Sequence, residues 1–172
     1  MVGEGPPGAL ANLLKTLIGR TNLLAPAELI AVNDALRRDG QAARAFGEAL
    51  LKLVDDGGER AFSGLVEATG SLPADPGRAR VLTWPIVTIL PFLAQPDRHM
   101  FLKPMQTQRI AEAFTFDLSY SARPRWVTYD RLLTLSNRLL ERLRPLGARD
   151  LIDVQSFMWV VAGWPFMKQK RK

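Results

Sequence analysis

The stretch TYDRLLTLSNRLLERLR, residues 128–144, is the part of the sequence that decides the fold. On a helical wheel one arc about 120° wide carries Tyr129, Leu132, Leu133, Leu139, Leu140 and Leu143. The roughly opposite side carries Arg131, Arg138 and Arg142. Pro145 and Gly147 follow, as expected where a helix ends. The spacing therefore predicts an amphipathic helix with a leucine face in the core and an arginine face in water.

The segment after this helix, residues 150–162, is apolar on nearly every side. Asp150 stands where a helix cap belongs, so a second helix is predicted there. Since it has no polar face, we expect it to lie at the centre of the core. Gly163-Trp164-Pro165 should end it, leaving residues 164–172 as a basic tail.

Upstream, apolar residues recur at the helical spacing of three and four in four segments before residue 70. These predicted helices cover residues 9–18, 26–40, 46–54 and 59–68. The connections between them are short, which favours a small antiparallel bundle.

Prolines recur through the middle of the chain. Residues 71–82 lack periodicity and predict a long Pro-rich loop. Thr83 could cap a helix that begins at Pro85, and Pro91 should kink or interrupt that helix. Pro104 opens a further helix. Residues 116–120 alternate apolar and polar side chains, but a lone strand has no partner, so an extended loop is favoured.

These patterns predict a mostly α-helical, single compact domain over residues 1–172. An N-terminal helical subregion, 9–70, is joined by the loop 71–82 to a second helical layer, 83–163, followed by the tail. A chain of 172 residues is long enough to bury a substantial core.

Composition excludes several classes of protein. The chain has no cysteine and one histidine, His99, so disulfide scaffolds, thiolate metal sites and His-rich metal sites are excluded. The longest apolar stretches are about half the length of a membrane span, and no secretory signal is visible. We therefore expect a cytoplasmic protein with no membrane partner and no cofactor.

The net charge of +6 is unevenly distributed. Residues 1–97 carry a net −2, residues 98–149 a net +6, and residues 150–172 a net +2. All four cations of the last block lie within the final five residues. An anionic partner is therefore expected at the 98–149 segment.

Two groups of side chains in this segment are candidate binding residues. The first combines cations with aromatic rings before a helix, Arg123, Arg125 and Trp126, a mixture that suits single-stranded nucleic acid. The alternative is that Trp126 and Tyr129 anchor the loop on the core while the arginines reach into water.

The second group, Arg98, His99, Lys103 and Arg109, surrounds the start of a helix. Such a group could receive an anion, or carry out acid–base chemistry. The alternative is a partly buried histidine that makes one hydrogen bond. Asp150 and Asp153 could similarly hold a metal, but helix capping explains Asp150 without one.

Three segments of the second half occur together: TWPIVT at 83–88, PDRHMFLKP at 96–104 and RDLIDVQSFMWV at 149–160. The set resembles the C-terminal half of a family of uncharacterised bacterial proteins and covers about half of the chain. The resemblance implies a shortened member of that family and assigns no activity or catalytic residue.

The sequence contains no Walker loop, dinucleotide fingerprint, GxSxG elbow, HExxH motif or EF-hand loop. Non-enzymatic binding is therefore the favoured function, with nucleic acid or another anionic ligand bound through the 98–149 segment. One alternative is a protein-interaction module that uses Trp164, Phe166 and Met167. Another is a small enzyme that acts on an anionic substrate near His99 and Lys103.

Overall fold

Helices make up nearly all the regular structure that the computed structural model describes, which covers residues 9–77 and 79–169. Side chains are described from residue 12 to residue 163, apart from 14, 15 and 78. Within these limits the fold is mostly α-helical, as predicted, and contains no strand. The helices are α1 (Ala9–Ile18), α2 (Pro26–Arg38), α3 (Gly40–Asp56), α4 (Gly58–Gly70), α5 (Trp84–Ala94), α6 (Pro104–Ala113), α7 (Trp126–Leu143) and α8 (Leu151–Gln169).

Four helices form in the predicted N-terminal subregion, although α3 begins at Gly40, which was predicted to end α2. They pack in chain order, α1 on α2, α2 on α3 and α3 on α4. Asp39 caps α3, because its carboxylate accepts hydrogen bonds from the backbone N–H groups of Gln41 and Ala42, at 2.9 and 3.0 Å. Gly57 alone separates α3 from α4, with a φ of +67°. This backbone conformation favours glycine and allows the reversal of direction.

The predicted loop after α4 is irregular, as expected, and it is fastened to α2. The guanidinium of Arg38 forms a two-pronged ion pair with the carboxylate of Asp75. Leu72 and Val81 are buried near the two ends of the loop. The loop therefore covers part of the core.

The helix α5 lies at the centre of the core, which is the position that the sequence predicted for α8. All nine residues from Trp84 to Phe92 are buried. The helix runs through Pro91 without a break, so of the two predicted effects, a kink or an interruption, the interruption is wrong. A helix can lose one N–H donor when packing holds it from all sides. Thr83 precedes the helix but its side chain makes no cap hydrogen bond. Pro85 explains this, since it removes one of the N–H groups that a cap would engage.

The helix α7 confirms the prediction from residues 128–144, although it begins two residues earlier. A single 3-10 turn, Arg144–Leu146, follows it, and Gly147 ends that turn with a φ of +98°. The side of α7 that carries Tyr129 and most of its leucines is buried.

Two predictions about α8 are wrong. Gly163-Trp164-Pro165 does not end it, because the helix continues to Gln169, so residues 164–169 belong to α8 rather than to a tail. Residues 170–172 lie outside the described residues. The helix is also not central, since it packs on α6 and α7 through one side only. Nine successive buried residues of α5 already fill the centre.

Four aromatic rings join α4, α5 and α7 into one cluster. Phe62 stacks on Tyr129 with ring centroids 4.5 Å apart and planes 13° from parallel. Trp84 and Trp126 lie 6.2 and 5.8 Å from the same phenylalanine. The cluster forms part of a continuous core that reaches from Ile18 to Ala162.

Candidate functional site

The first candidate group lies where the segment between α6 and α7 meets the core. Trp84 donates from Nε1 to the carbonyl oxygen of Ser121 at 2.7 Å. Thr128 donates from its hydroxyl to the carbonyl oxygen of Ser119, also at 2.7 Å. These two bonds hold the middle of the segment against α5 and α7.

Arginines of α7 hold the beginning of the same segment. The guanidinium groups of Arg131 and Arg138 lie over the ring of Phe116, 5.4 and 5.8 Å from its centroid. Arg131 also donates to the carbonyl oxygen of Asp117 and forms an ion pair with its carboxylate at 3.2 Å. Hydrogen bonds from the backbone and hydroxyl of Ser119 lower the pKa of Asp117. Two cations of the predicted water-facing stripe are therefore engaged in packing.

Trp126 is an anchor of this segment. Its ring contacts Phe62 and lies 6.1 Å from the ring of Tyr129. Arg123 and Arg125 flank the buried Pro124 and are both exposed. Neither guanidinium makes a hydrogen bond or an ion pair with another described side chain. Trp126 therefore packs against the core, whereas the two arginines face solvent.

His99 is buried, with 4% of its surface exposed. Its Nδ1 atom hydrogen-bonds the Tyr129 hydroxyl at 3.1 Å. Burial lowers the pKa of His99, and the nearby charge of Arg98 lowers it further; the carbonyl of Leu53 and the charge of Asp97 oppose these effects. The Nε2 atom is buried and has no hydrogen-bond partner at normal distance among the described residues. The arrangement matches the alternative that His99 makes one internal hydrogen bond.

Arg98 sits at the end of α3. Its Nη1 atom donates to the carbonyl oxygen of Val54 at 3.3 Å and to the side-chain oxygen of Gln95 at 3.2 Å. A cation is stabilised at this position, because the last carbonyl groups of a helix carry partial negative charge. Arg98 therefore joins α3 to the turn after α5.

Lys103 is also directed into the fold. Its ammonium group donates to the carbonyl oxygen of Leu23 at 3.0 Å and lies 3.6 Å from the carboxylate of Glu28. Arg109 is half-buried on α6 and interacts with other groups of the chain. Arg98 and Lys103 of the predicted second group therefore make separate contacts within the fold.

The basic segment includes the whole length of α7. The 18 residues of α7 make it about 27 Å long. Arg125 precedes the first turn of this helix and Arg142 lies in the last. Of the seven predicted binding residues, only Arg123 and Arg125 form a pair of exposed neighbouring cations without a described partner.

The outward face of α8, defined here by Ile152, Ser156, Trp159, Val160 and Gly163, is the feature that the sequence reasoning missed. Its three large apolar residues, Ile152, Trp159 and Val160, are 44%, 45% and 63% exposed. The opposite side buries Leu151, Val154, Met158 and Ala162. An amphipathic pattern would have revealed the division, but both sides of this helix are apolar. The side chains of Trp164, Phe166 and Met167 lie outside the described residues.

Two grooves lie away from the candidate residues. The larger, about 330 Å³ and open to solvent, runs between α3 and α4 and is lined by Ala49, Lys52, Arg60, Ala61, Ser63, Gly64 and Glu67. The smaller, about 10 Å³, lies beside the Arg38–Asp75 ion pair. No predicted binding residue lines either groove.

The carboxylate pair at the start of α8 acts in capping. Asp150 accepts hydrogen bonds from the backbone N–H groups of Ile152 and Asp153, at 2.9 and 3.3 Å. Asp153 accepts from the backbone N–H of Arg149 at 2.8 Å, which lowers its pKa. Among the described residues no group of three or more histidine and acidic side chains is arranged to hold a metal ion.

The chain matches no protein-family model, no curated protein and no solved structure. The resemblance of its three segments to a bacterial family therefore stays a prediction. None of the described helices combines the length and apolar character needed to cross a membrane.

Proposed function

We propose that this chain is a non-enzymatic interaction domain of the cytoplasm that binds a protein through the outward face of α8. The observation that carries the proposal is the exposure of Ile152, Trp159 and Val160 on one side of a single helix. The other exposed large apolar side chains of the described chain lie singly on several elements, apart from Leu13 and Leu17, which lie one turn apart on α1. Single exposed apolar residues are normal on protein surfaces, whereas a contiguous group indicates an interaction site.

The chemistry of the face suits a protein partner. Tryptophan is enriched among the residues that dominate binding energy at interfaces. Burying the exposed parts of Trp159, Val160 and Ile152 would remove apolar surface from water, which stabilises a complex by about 25 cal/mol for each Å². The indole N–H can also donate one hydrogen bond at the edge of such a contact.

The face is held rigidly, which lowers the entropic cost of binding. Asp150 caps the first turn of α8. The backbone N–H of Leu151 donates to the carbonyl oxygen of Pro96 at 2.9 Å, which ties this turn to the end of α5. On the inner side, Val154 and Met158 are almost completely buried.

Site-specific photo-crosslinking tests this proposal. A photoreactive benzoylphenylalanine in place of Trp159 should yield a covalent protein adduct in cells that express the chain. A second substitution, Val160→Asp, should abolish the adduct. The matched control carries the photoreactive residue at Val127, which is 54% exposed on α7. Equal labelling from both positions, or no adduct from position 159, would contradict the proposal.

A second candidate function, association with nucleic acid, is favoured by Arg123 and Arg125. Both are exposed and unengaged on either side of a buried proline. Replacing both with Glu should weaken the binding of a single-stranded oligonucleotide and reduce the salt slope by about 1.4, the value for two phosphate contacts. The control with the same charge change is Arg44→Glu with Arg80→Glu, at two other exposed positions. Undetectable binding, or the same loss in the control, would exclude this function.

A further inference from the structure

We propose that the groove between α3 and α4 binds a short peptide by its two free ends. The C-terminal carboxylate faces Lys52 and Arg60, and the N-terminal ammonium group faces Glu67; all three residues line the groove. Its volume of about 330 Å³ lies within the range of about 300 to 1,000 Å³ that is usual for small-molecule sites. The groove is separate from the outward face of α8, so this inference does not rest on the function proposed for that face.

The charged residues stand at two ends of the groove. Lys52 lies four residues before the end of α3, and Arg60 lies two residues after the start of α4, so both belong to the end near Gly57. Glu67 follows Arg60 by seven residues, which places it on the same side of α4. At a rise of about 1.5 Å per residue, the two positions are offset by about 10 Å along the helix.

These charges are not satisfied within the described part of the chain. Lys52, Arg60 and Glu67 form no ion pair with any described residue, and their side chains make no hydrogen bond there. Two cations therefore share one groove with an acid that they do not contact. A ligand that carries one charge of each sign complements both ends.

The surrounding charges favour such a ligand over a simple anion. The helices α3 and α4 together carry three cations and five acidic residues. Four of these acids are exposed and lie outside the groove lining, namely Glu48, Asp55, Asp56 and Glu59. This surplus repels a phosphate or another multiply charged anion, whereas a peptide with two free ends and uncharged side chains has no net charge.

The dimensions of the groove suit a peptide of about three residues. An extended tripeptide spans about 10 Å, at about 3.3 Å per residue, which matches the offset between Arg60 and Glu67. The small lining residues Ala49, Ala61 and Gly64 are buried or half-buried and form an apolar floor. A Cβ added at Gly64 would meet nothing within 4 Å, so the space beside it is open.

Ser63 supplies a hydroxyl for the peptide backbone. The hydroxyls of Thr69 in the same helix and of Ser156 in α8 donate to the carbonyl oxygen four residues earlier, at 2.7 and 3.0 Å. The hydroxyl of Ser63 makes no hydrogen bond with a described residue, although Ser63 is half-buried and lines the groove. It can therefore bond an N–H or a carbonyl oxygen of the peptide.

NMR titration of the purified full chain with trialanine tests this proposal. The amide signals of Ser63 and Gly64 should shift and saturate, with a Kd of about 1 mM or lower. Trialanine with an acetylated N-terminus or an amidated C-terminus should bind about three- to fivefold more weakly, since each loses one ion pair. Free alanine should bind more weakly than trialanine, because it cannot reach both ends. No saturation, shifts confined to other parts of the chain, or equal binding of alanine would overturn the proposal.

Two variants assign the ends of the peptide. Glu67→Gln should weaken the binding of trialanine and should bind the free and acetylated forms equally. Arg60→Gln should reduce the preference for the free over the amidated form. The matched control, Arg44→Gln, changes an exposed cation of α3 outside the groove and should leave every Kd unchanged. Equal losses in the control, or a Glu67→Gln variant that still prefers the free N-terminus, would overturn the assignment.

A third variant tests the location independently of charge. Gly64→Leu places a side chain in the open space of the groove and should abolish the binding of trialanine, while circular dichroism shows intact helices. Unchanged binding in this variant would overturn the proposal. The photo-crosslink from position 159 reports on α8 and this titration reports on the groove, so each proposal fails on its own measurement.

Discussion

The Nδ1 atom of His99 lies 3.1 Å from the hydroxyl oxygen of Tyr129, and both groups are buried. The same hydroxyl oxygen accepts the backbone N–H of Met100 at 3.3 Å. A hydroxyl that accepts this bond still has its own proton to donate, and Nδ1 is the acceptor beside it. With Nδ1 as the acceptor, the ring proton of neutral His99 is on Nε2. The pair therefore connects the turn after α5 with α7.

Removing the hydroxyl of Tyr129 should destabilise the fold without changing its shape. Tyr129→Phe leaves the backbone N–H of Met100 and one nitrogen of His99 buried without a partner. We expect the free energy of unfolding to fall by about 1 to 3 kcal/mol, measured by urea denaturation. Tyr120→Phe is the control, because Tyr120 is only half-buried and should change stability by less than about 0.5 kcal/mol. Equal losses in the two variants would refute the role of this hydroxyl.

The stability of the protein should depend on pH through His99. Its pKa in the fold is lowered from the ordinary value of 6.5, chiefly by burial. Below pH 6.5 the unfolded chain therefore binds more protons than the folded one. The free energy of unfolding should be level above this pH and should decrease below it, with a slope of at most about 1.4 kcal/mol per pH unit.

Urea denaturation between pH 5 and pH 8 checks this dependence. His99 is the one histidine of the sequence, so His99→Asn should flatten the curve in this window. An unchanged slope in the variant would show that other groups cause the dependence.

The junction between α3 and α4 should not tolerate a side chain. Gly57 has φ +67° and ψ −167°, a region that residues other than glycine rarely enter. An added Cβ would also lie 3.2 Å from the Nη2 atom of Arg98. Gly57→Ala should lower the thermal midpoint through a loss of about 1 to 3 kcal/mol. Gly40→Ala, on the first residue of α3 with open space around it, should be neutral or slightly stabilising.

The capping role of Asp150 is separable from its charge. Asp150→Ala removes the acceptor for two backbone N–H groups of α8 and should cost about 1 kcal/mol in thermal or urea unfolding. Asp150→Asn keeps an oxygen acceptor and should stay close to the unmodified chain. If Asn were as destabilising as Ala, the carboxylate charge would be what matters.

The sequence was most informative where one helix has two different sides. The pattern of residues 128–144 predicted α7 to within two residues at its start, because the leucines and arginines separate cleanly. The sequence pattern was insufficient to place α5 and α8 in the fold, since both segments are apolar on all sides. Which of them takes the centre depends on how the other helices pack around them, and that information is not local. The outward face of α8 therefore went unrecognised.

The candidate binding residues show the same limit. A count of cations locates charge along the chain but not in space. Lys103 bonds a carbonyl oxygen of Leu23, eighty residues earlier. Arg131 and Arg138 lie over the ring of Phe116. No local pattern identifies such partners, so cations that fasten the fold together could not be distinguished from cations that face water.

The aromatic cluster has a consequence for the order in which the protein can fold as it is synthesised. The helices α3 and α4 are neighbours in sequence and can pair early, because their contacts close short loops. Phe62 of α4, however, packs on Trp126 and Tyr129 of α7 as well as on Trp84 of α5. A nascent chain that ends before α7 therefore lacks two of the three rings that cover Phe62. Until that helix emerges from the ribosome, the first half of the protein is exposed to aggregation and is a natural client for a chaperone.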